Sequence, residues 1–231
     1  MDFIVNNTTF PALPDLLAPH SCRSCGRIGA ILCKTCKNNL IFSSTNYCPN
    51  CKKLNPTGKC PNCKNLPPIF VFGRRDELIG ELVHALKYDS VRALAKTLAE
   101  LLDETLPFID GPVALVPLPT ISRHIRERGL DHTYLIMKSL KKLRGKNYRI
   151  EKALTRAKNS VQVGSDAKTR ALQAKTAYIL AENFKIDPKT TYLIFDDVWT
   201  TGSSMKAALK KLREAGAKKI IISVLAVNRL D

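Results

Sequence analysis

The stretch Tyr192-Leu193-Ile194-Phe195-Asp196-Asp197-Val198-Trp199-Thr200-Thr201-Gly202-Ser203-Ser204 decides the fold class of this 231-residue chain. An apolar strand, 191–196, delivers two adjacent acids, Asp196 and Asp197, at what reads as a solvent-facing strand tip. Five small residues follow, Thr200 to Ser204. A helical pattern then runs over 203–215, with Met205, Ala208, Leu209 and Leu212 on one face and Gly216 as its stop. Backbone N–H groups of such a loop and helix start converge on an anion. Thr and Ser hydroxyls add donors, and Gly202 lets the backbone come close. Acids suit sugar hydroxyls or a hydrated Mg²⁺, not phosphate. Phosphate beside a diol means a ribose 5-phosphate. The alternative is an ordinary strand–loop–helix turn with Ser203 as N-cap; five small residues behind two acids argue against it.

Outward from this stretch, strand and helix patterns alternate. Strands are expected at 69–73, 112–117 and 219–227, and helices at 76–88, 91–106 and, largely, 121–143. The span 154–180 is polar and basic, with helical spacing late on. Alternation of this kind predicts a mostly parallel sheet covered on both faces, an α/β domain over 69–231.

All eight cysteines precede residue 64 and form four C-x-x-C pairs: Cys22–Cys25, Cys33–Cys36, Cys48–Cys51 and Cys60–Cys63. One such turn aims two thiolates at a single tetrahedral ion, and two turns complete a Cys₄ site. Two zinc ions are therefore expected. Pairing of neighbouring turns closes the shortest loops, Cys22, Cys25, Cys33 and Cys36 at one ion and Cys48, Cys51, Cys60 and Cys63 at the other. Interleaved pairing stays open. A disulfide framework belongs to secreted chains, and the N-terminal MDFIVNNTTFPALPD lacks the basic and apolar regions of a signal peptide. No apolar run approaches a membrane span. The chain reads as soluble and cytoplasmic. The expected layout is an extension over 1–19, a double zinc module over 20–66 ended by Asn65-Leu66-Pro67-Pro68, and the α/β domain.

Lys and Arg outnumber Asp and Glu by 37 to 20, a net charge of +17. Such a surplus favours polyanionic partners. Lys141, Lys142, Arg144 and Lys146, with Arg149, form a basic run that is a candidate nucleic-acid contact or a solvated face. Trp199 either stacks on a base or packs beside the loop. His84 falls at the edge of a buried helix face.

FDDVWTTGSS resembles the signature loop of type I phosphoribosyltransferases. Together with the cysteine pairs, the block His84-Ala85-Leu86-Lys87-Tyr88, the turn Val116-Pro117-Leu118-Pro119, then Arg123, Arg126, Arg128 and Gly129, and a Gln162…Arg170 block, it resembles the ComF family of competence proteins. The resemblance spans residues 20–228. It implies a type I phosphoribosyltransferase-like parallel sheet with flanking helices, plus a small N-terminal double zinc ribbon. It also implies binding of phosphoribosyl pyrophosphate with Mg²⁺ and handling of incoming single-stranded DNA in natural transformation, with a helicase or another DNA-uptake protein as partner. Asp196 and Asp197 would contact the ribose hydroxyls, and Thr200, Thr201, Gly202, Ser203 and Ser204 the 5-phosphate. Leu118, Pro119 and Thr120 would form the pyrophosphate side, assisted by Arg123, Arg126 and Arg128. The chain departs from the family at Leu130-Asp131-His132, where Phe-Asn-Gln is common, and at Gln173, where Asn is. Both affect the acceptor side. The sequence names no acceptor, so a working phosphoribosyltransferase without a DNA role is the second reading.

Overall fold

The computed structural model describes residues 20–89, 91–157 and 178–228 and divides into two compact units, Met1–Phe42 and Ser43–Asp231. The extension over 1–19, the Gln162…Arg170 block and Gln173 lie outside the described residues.

In the first unit a tight turn follows Cys22, whose N–H bonds Arg27 O while its carbonyl accepts from Gly26 N. Helix α1, Lys34–Ser43, then begins immediately after Cys33 and carries Cys36.

The second unit is built on five parallel strands: β1 Ile69–Arg74, β2 Val113–Pro117, β3 Tyr148–Ile150, β6 Thr191–Trp199 and β7 Lys219–Val227. Their order is β1-β7-β6-β2-β3. Between them run helices α2 Leu78–Tyr88, α3 Leu94–Thr105, α4 Ser122–Arg128, α5 His132–Arg144 and α6 Ser203–Glu214. Two short antiparallel strands, β4 Leu154–Arg156 and β5 Tyr178–Leu180, form a separate flap.

Strand periodicity assigns the faces. Ile69, Val71, Ala114, Val116, Tyr192 and Ile194 pack with Met205, Ala208, Leu209 and Leu212 of α6 and with Leu154 and Tyr178 of the flap. Burying each large side chain of α6 stabilises by about 1.5–3 kcal/mol. The alternate positions, Phe70, Phe72, Val113, Leu115, Leu193 and Phe195, are equally buried on the face that α2, α3 and α5 cover.

Three local expectations change. The helical span 121–143 breaks into α4 and α5, because Gly129 takes a left-handed φ of 65° and Asp131 Oδ1 then caps α5 at Tyr134 N. The described ends of 154–180 are strands rather than helix. Strand β6 runs on to Trp199, with Asp196 opposite Val224 and Trp199 opposite Val227, so the acids sit within the strand and not at its free tip.

The segment bearing Cys48 to Cys63 belongs to the second unit, and the segment bearing Cys22 to Cys36 to the first. Side-chain hydrogen bonds explain the attachment. Asn46 donates to Ile69 O at 3.2 Å and accepts from Val71 N at 2.9 Å, and Asn55 donates to Ile69 O at 3.4 Å. Among the described residues no helix is long and apolar enough to cross a membrane.

Candidate functional site

Parallel pairing of β2 with β6 sets Pro117 opposite Phe195, and Leu118 N donates to Phe195 O at 2.8 Å. The turn Leu118–Thr120 thus leaves the sheet beside the Phe195–Asp197 stretch of β6, and β6 runs on to Trp199 before the loop Thr200–Gly202 begins. The chain's strand order also reverses between these two strands, the place where open α/β sheets bind ligands.

Period-two alternation sends the two acids to opposite faces. Asp196 is half-buried on the α6 side, its Oδ1 accepting from Asp197 N at 2.9 Å. Burial and the adjacent Asp197 push its carboxyl up to about 7, against the pull of Lys87 and Arg156. Asp197 is only 4% exposed and faces α2 and α5, so the expectation of two solvent-facing acids fails for it. Its Oδ2 lies 2.6 Å from Lys87 Nζ and 2.7 Å from His132 Nε2. Burial alone would raise this carboxyl, but the His132 hydrogen bond and the Lys87 charge outweigh it and hold it at about 2.

Lys87 and His132 are therefore part of the site, and neither was singled out as functional from the sequence. Arg156 of β4 was missed too. Its Nε donates to Pro119 O at 2.9 Å, and its guanidinium lies 5.3 Å from the Tyr178 ring centroid. The available signals were thin: Lys87 lies inside the HALKY block, and His132 is one of the departures from the family.

After Trp199 the loop tightens. Gly202 has φ 72°, and a Cβ there would meet the Trp199 ring at 2.2 Å. Trp199 is 4% exposed, so it packs on the loop and does not offer a stacking face. Thr201 Oγ1 and Ser203 Oγ lie 2.9 Å apart at the start of α6. A pocket of about 30 Å³ is lined by Asp196, Thr200, Gly202, Ser203 and Ser204 among others.

The arginines of the pyrophosphate side are less concentrated. Arg123 pairs with Glu127 at 2.6 Å on the exposed α4, and Arg126 is exposed. Arg128 lies 4.9 Å above the Tyr88 ring and contacts His124 Nδ1 at 3.3 Å. None of these contacts reaches the loop. His84 is exposed and stacks at 4.6 Å on Tyr88. In the basic run, Lys141, Lys142 and Lys146 are exposed. Arg144 instead pairs with the Asp103 carboxylate and donates to Asp103 O, Leu106 O and Pro107 O, closing the C-terminus of α3.

The cysteines form two local clusters, one of Cys22, Cys25, Cys33 and Cys36 and the other of Cys48, Cys51, Cys60 and Cys63. In each, all four sulfurs lie within 4.8 Å of one another. Sulfurs of Cys25 and Cys33 are 3.7 Å apart, and those of Cys51 and Cys60 are 3.4 Å apart. Four thiolates at about 2.3 Å from one ion stand about 3.8 Å apart, far beyond a disulfide. Cys33 N and Asn50 Nδ2 donate to Cys22 and Cys63 sulfurs at 3.4 and 3.3 Å, the outer hydrogen bonds a thiolate site uses. Both clusters fit a metal ion, with neighbouring turns paired.

A parallel sheet whose central strand carries two acids into a Thr-Thr-Gly loop and a helix start fits the arrangement that the sequence resemblance to type I phosphoribosyltransferases implies. The chain is similar to a hypoxanthine phosphoribosyltransferase from Staphylococcus aureus at 15% identity and TM-score 0.36, covering 60% of this chain and 64% of that one. It is also similar to the allosteric regulatory enzyme of purine biosynthesis at 14% identity and TM-score 0.38, over 58% of this chain and 26% of that one. No family model matches. Competence protein F of Haemophilus influenzae is 27% identical over 202 residues, 84% of this chain and 83% of that protein. The chain is thus similar to a competence protein over most of its length, and it carries two Cys₄ clusters.

Proposed function

We propose that this protein acts in natural transformation, in the cytoplasm, binding phosphoribosyl pyrophosphate with Mg²⁺ on the β6–α6 loop and single-stranded DNA on its basic surface. The observation that carries the small-molecule half is one pocket gathering Asp196, Thr200, Gly202, Ser203 and Ser204. Asp196 takes the ribose hydroxyls. Thr200, Thr201, Ser203, Ser204 and the loop amides hold the 5-phosphate at the start of α6, with Gly202 allowing the approach. Leu118–Thr120 flanks the pyrophosphate end, where Arg156, bonded to Pro119 O, adds positive charge. Asp197 acts through Lys87 and His132, which it holds between α2 and α5. The two clusters hold zinc, the usual occupant of four thiolates. DNA binding is supported by the net charge of +17, and the competence role by the Haemophilus relative's name. A DNA-uptake protein such as a helicase is the protein partner.

Calorimetry with phosphoribosyl pyrophosphate and Mg²⁺ tests the site. Asp196→Asn removes one charge-assisted contact and is expected to weaken binding roughly ten- to hundred-fold. Equal affinity in the variant would remove Asp196 from the site.

A further inference from the structure

The structure separates the basic surface into parts that the sequence presents as one run. A groove of about 390 Å³ lies between the start of α3 and α5. Arg92 and Lys96 line one wall, Lys138 and Lys142 the other, and Tyr134 also faces it. All four cationic residues are exposed. Lys138 and Lys142 are one turn apart on α5, which sets their Cβ atoms at roughly 5–6 Å, while Arg92 sits in the turn before α3 and Lys96 in its first turn. Successive phosphates of an extended single strand have a comparable spacing.

Countercharge in the groove is small. Among the described residues Asp131 is its one acidic lining residue, and its Oδ1 already accepts from Tyr134 N, Thr133 Oγ1 and Thr120 Oγ1. Lys96 has Glu100 at 3.9 Å, a loose exposed pair. Arg92 spends one N–H on Gly129 O at 3.0 Å. The Lys152 ammonium, 5.4 Å from the Tyr134 ring centroid, adds a cation nearby. Two rows of cations beside an aromatic ring are the elements that hold single strands, phosphates by charge and bases by stacking.

We propose that the α3–α5 groove is where this protein holds single-stranded DNA, with phosphates on Arg92, Lys96, Lys138 and Lys142 and a base against Tyr134. The proposal rests on the DNA-binding reading above and gives it a location. Lys142 belongs to this path, whereas Arg144 is spent on the end of α3.

The test is fluorescence anisotropy of the full-length, metal-loaded protein with a labelled oligothymidine across a salt series. Lys138→Ala with Lys142→Ala is compared with Lys185→Ala with Lys189→Ala, an equal loss of charge on an exposed loop elsewhere. Each lost phosphate contact flattens the log–log salt slope by about 0.7, so the groove pair is expected to flatten it by about 1.4 and the loop pair hardly at all. Tyr134→Leu is expected to weaken binding about fivefold or more at constant slope. Circular dichroism and zinc content identify any variant that misfolds, and Lys142→Glu alone then repeats the test. Equal effects of both pairs, or none, would overturn the groove and leave DNA binding standing. A wild-type protein that binds no oligonucleotide at low salt would overturn both. Duplex bound as tightly through the same lysines would overturn the single-strand assignment, and anionic vesicles bound in its place would make the groove a membrane contact.

Discussion

Asp196 and Asp197 are adjacent, alike in chemistry and opposite in consequence. Asp196, its carboxyl raised to about 7, binds more protons folded than unfolded between about pH 4 and 7. Its stabilising contribution is therefore present below pH 4 and lost as pH rises through 7. Asp196→Asn removes a charge that burial disfavours, and is expected to raise stability above pH 7 by on the order of 1 kcal/mol while weakening ligand binding. Asp197 shows the reverse sign. Its carboxyl, held at about 2, contributes stability above pH 4 that is lost as pH falls toward 2. Asp197→Asn leaves the Lys87 charge without its partner and is expected to cost about 2–4 kcal/mol. Thermal unfolding of both variants at pH 8 checks the pair, and shifts of the same direction would refute the assignment of faces. The acid pair itself was legible in the sequence; its division was not. Reading the strand as ending at Asp196 hid the alternation that sends Asp197 into the α2–α5 layer. His132 and Lys87 were hidden for the same reason, since only the packing of two helices on β6 brings them to one oxygen.

The loop between β6 and α6 depends on a single glycine. At Gly202 a methyl group would need a left-handed backbone and would also strike the Trp199 ring. Gly202→Ala is expected to destabilise the protein by about 1–3 kcal/mol. It should also weaken phosphoribosyl pyrophosphate binding at least tenfold, measured by denaturant unfolding and calorimetry in parallel. Normal stability with normal affinity would show that the ring does not fix the loop. Long periodic elements such as α2, α3 and α6 were readable, because a core face every three to four residues leaves a pattern. The three-residue strands β3, β4 and β5 were not. Their identity comes from partners elsewhere in the chain, as with Tyr148 beside Val113 and Leu154 beside Leu180. Gly129 and Asp131 did carry a break signal between α4 and α5, but the apolar positions on either side read through it.

Across the whole molecule the two cysteine clusters have different dependants. Cys22→Ser is expected to remove one zinc ion, leaving the second in place and the melting of the α/β body unchanged, because the first cluster belongs to the other unit. Cys48→Ser should remove one ion as well, but lower that melting temperature, since Asn46 and Asn55 tie the second cluster's segment to β1. Elemental analysis with calorimetric unfolding distinguishes the two, and equal melting temperatures would disprove the difference. Cysteine spacing foretold both clusters and their preferred pairing; that one of them is bound to the sheet depends on two asparagine amides that no spacing reveals. The strand order has a further consequence during synthesis. Among the described residues strand β1 has a single neighbour in the sheet, β7, and Ile69 pairs with Ile222. At about 5–20 residues per second, the ribosome needs on the order of ten to thirty seconds to deliver that partner. Throughout that interval the nascent chain exposes Ile69-Phe70-Val71-Phe72, a hydrophobic edge open to any passing strand. The early-emerging segment of this protein is thus a natural client for a holdase chaperone until β7 closes the gap.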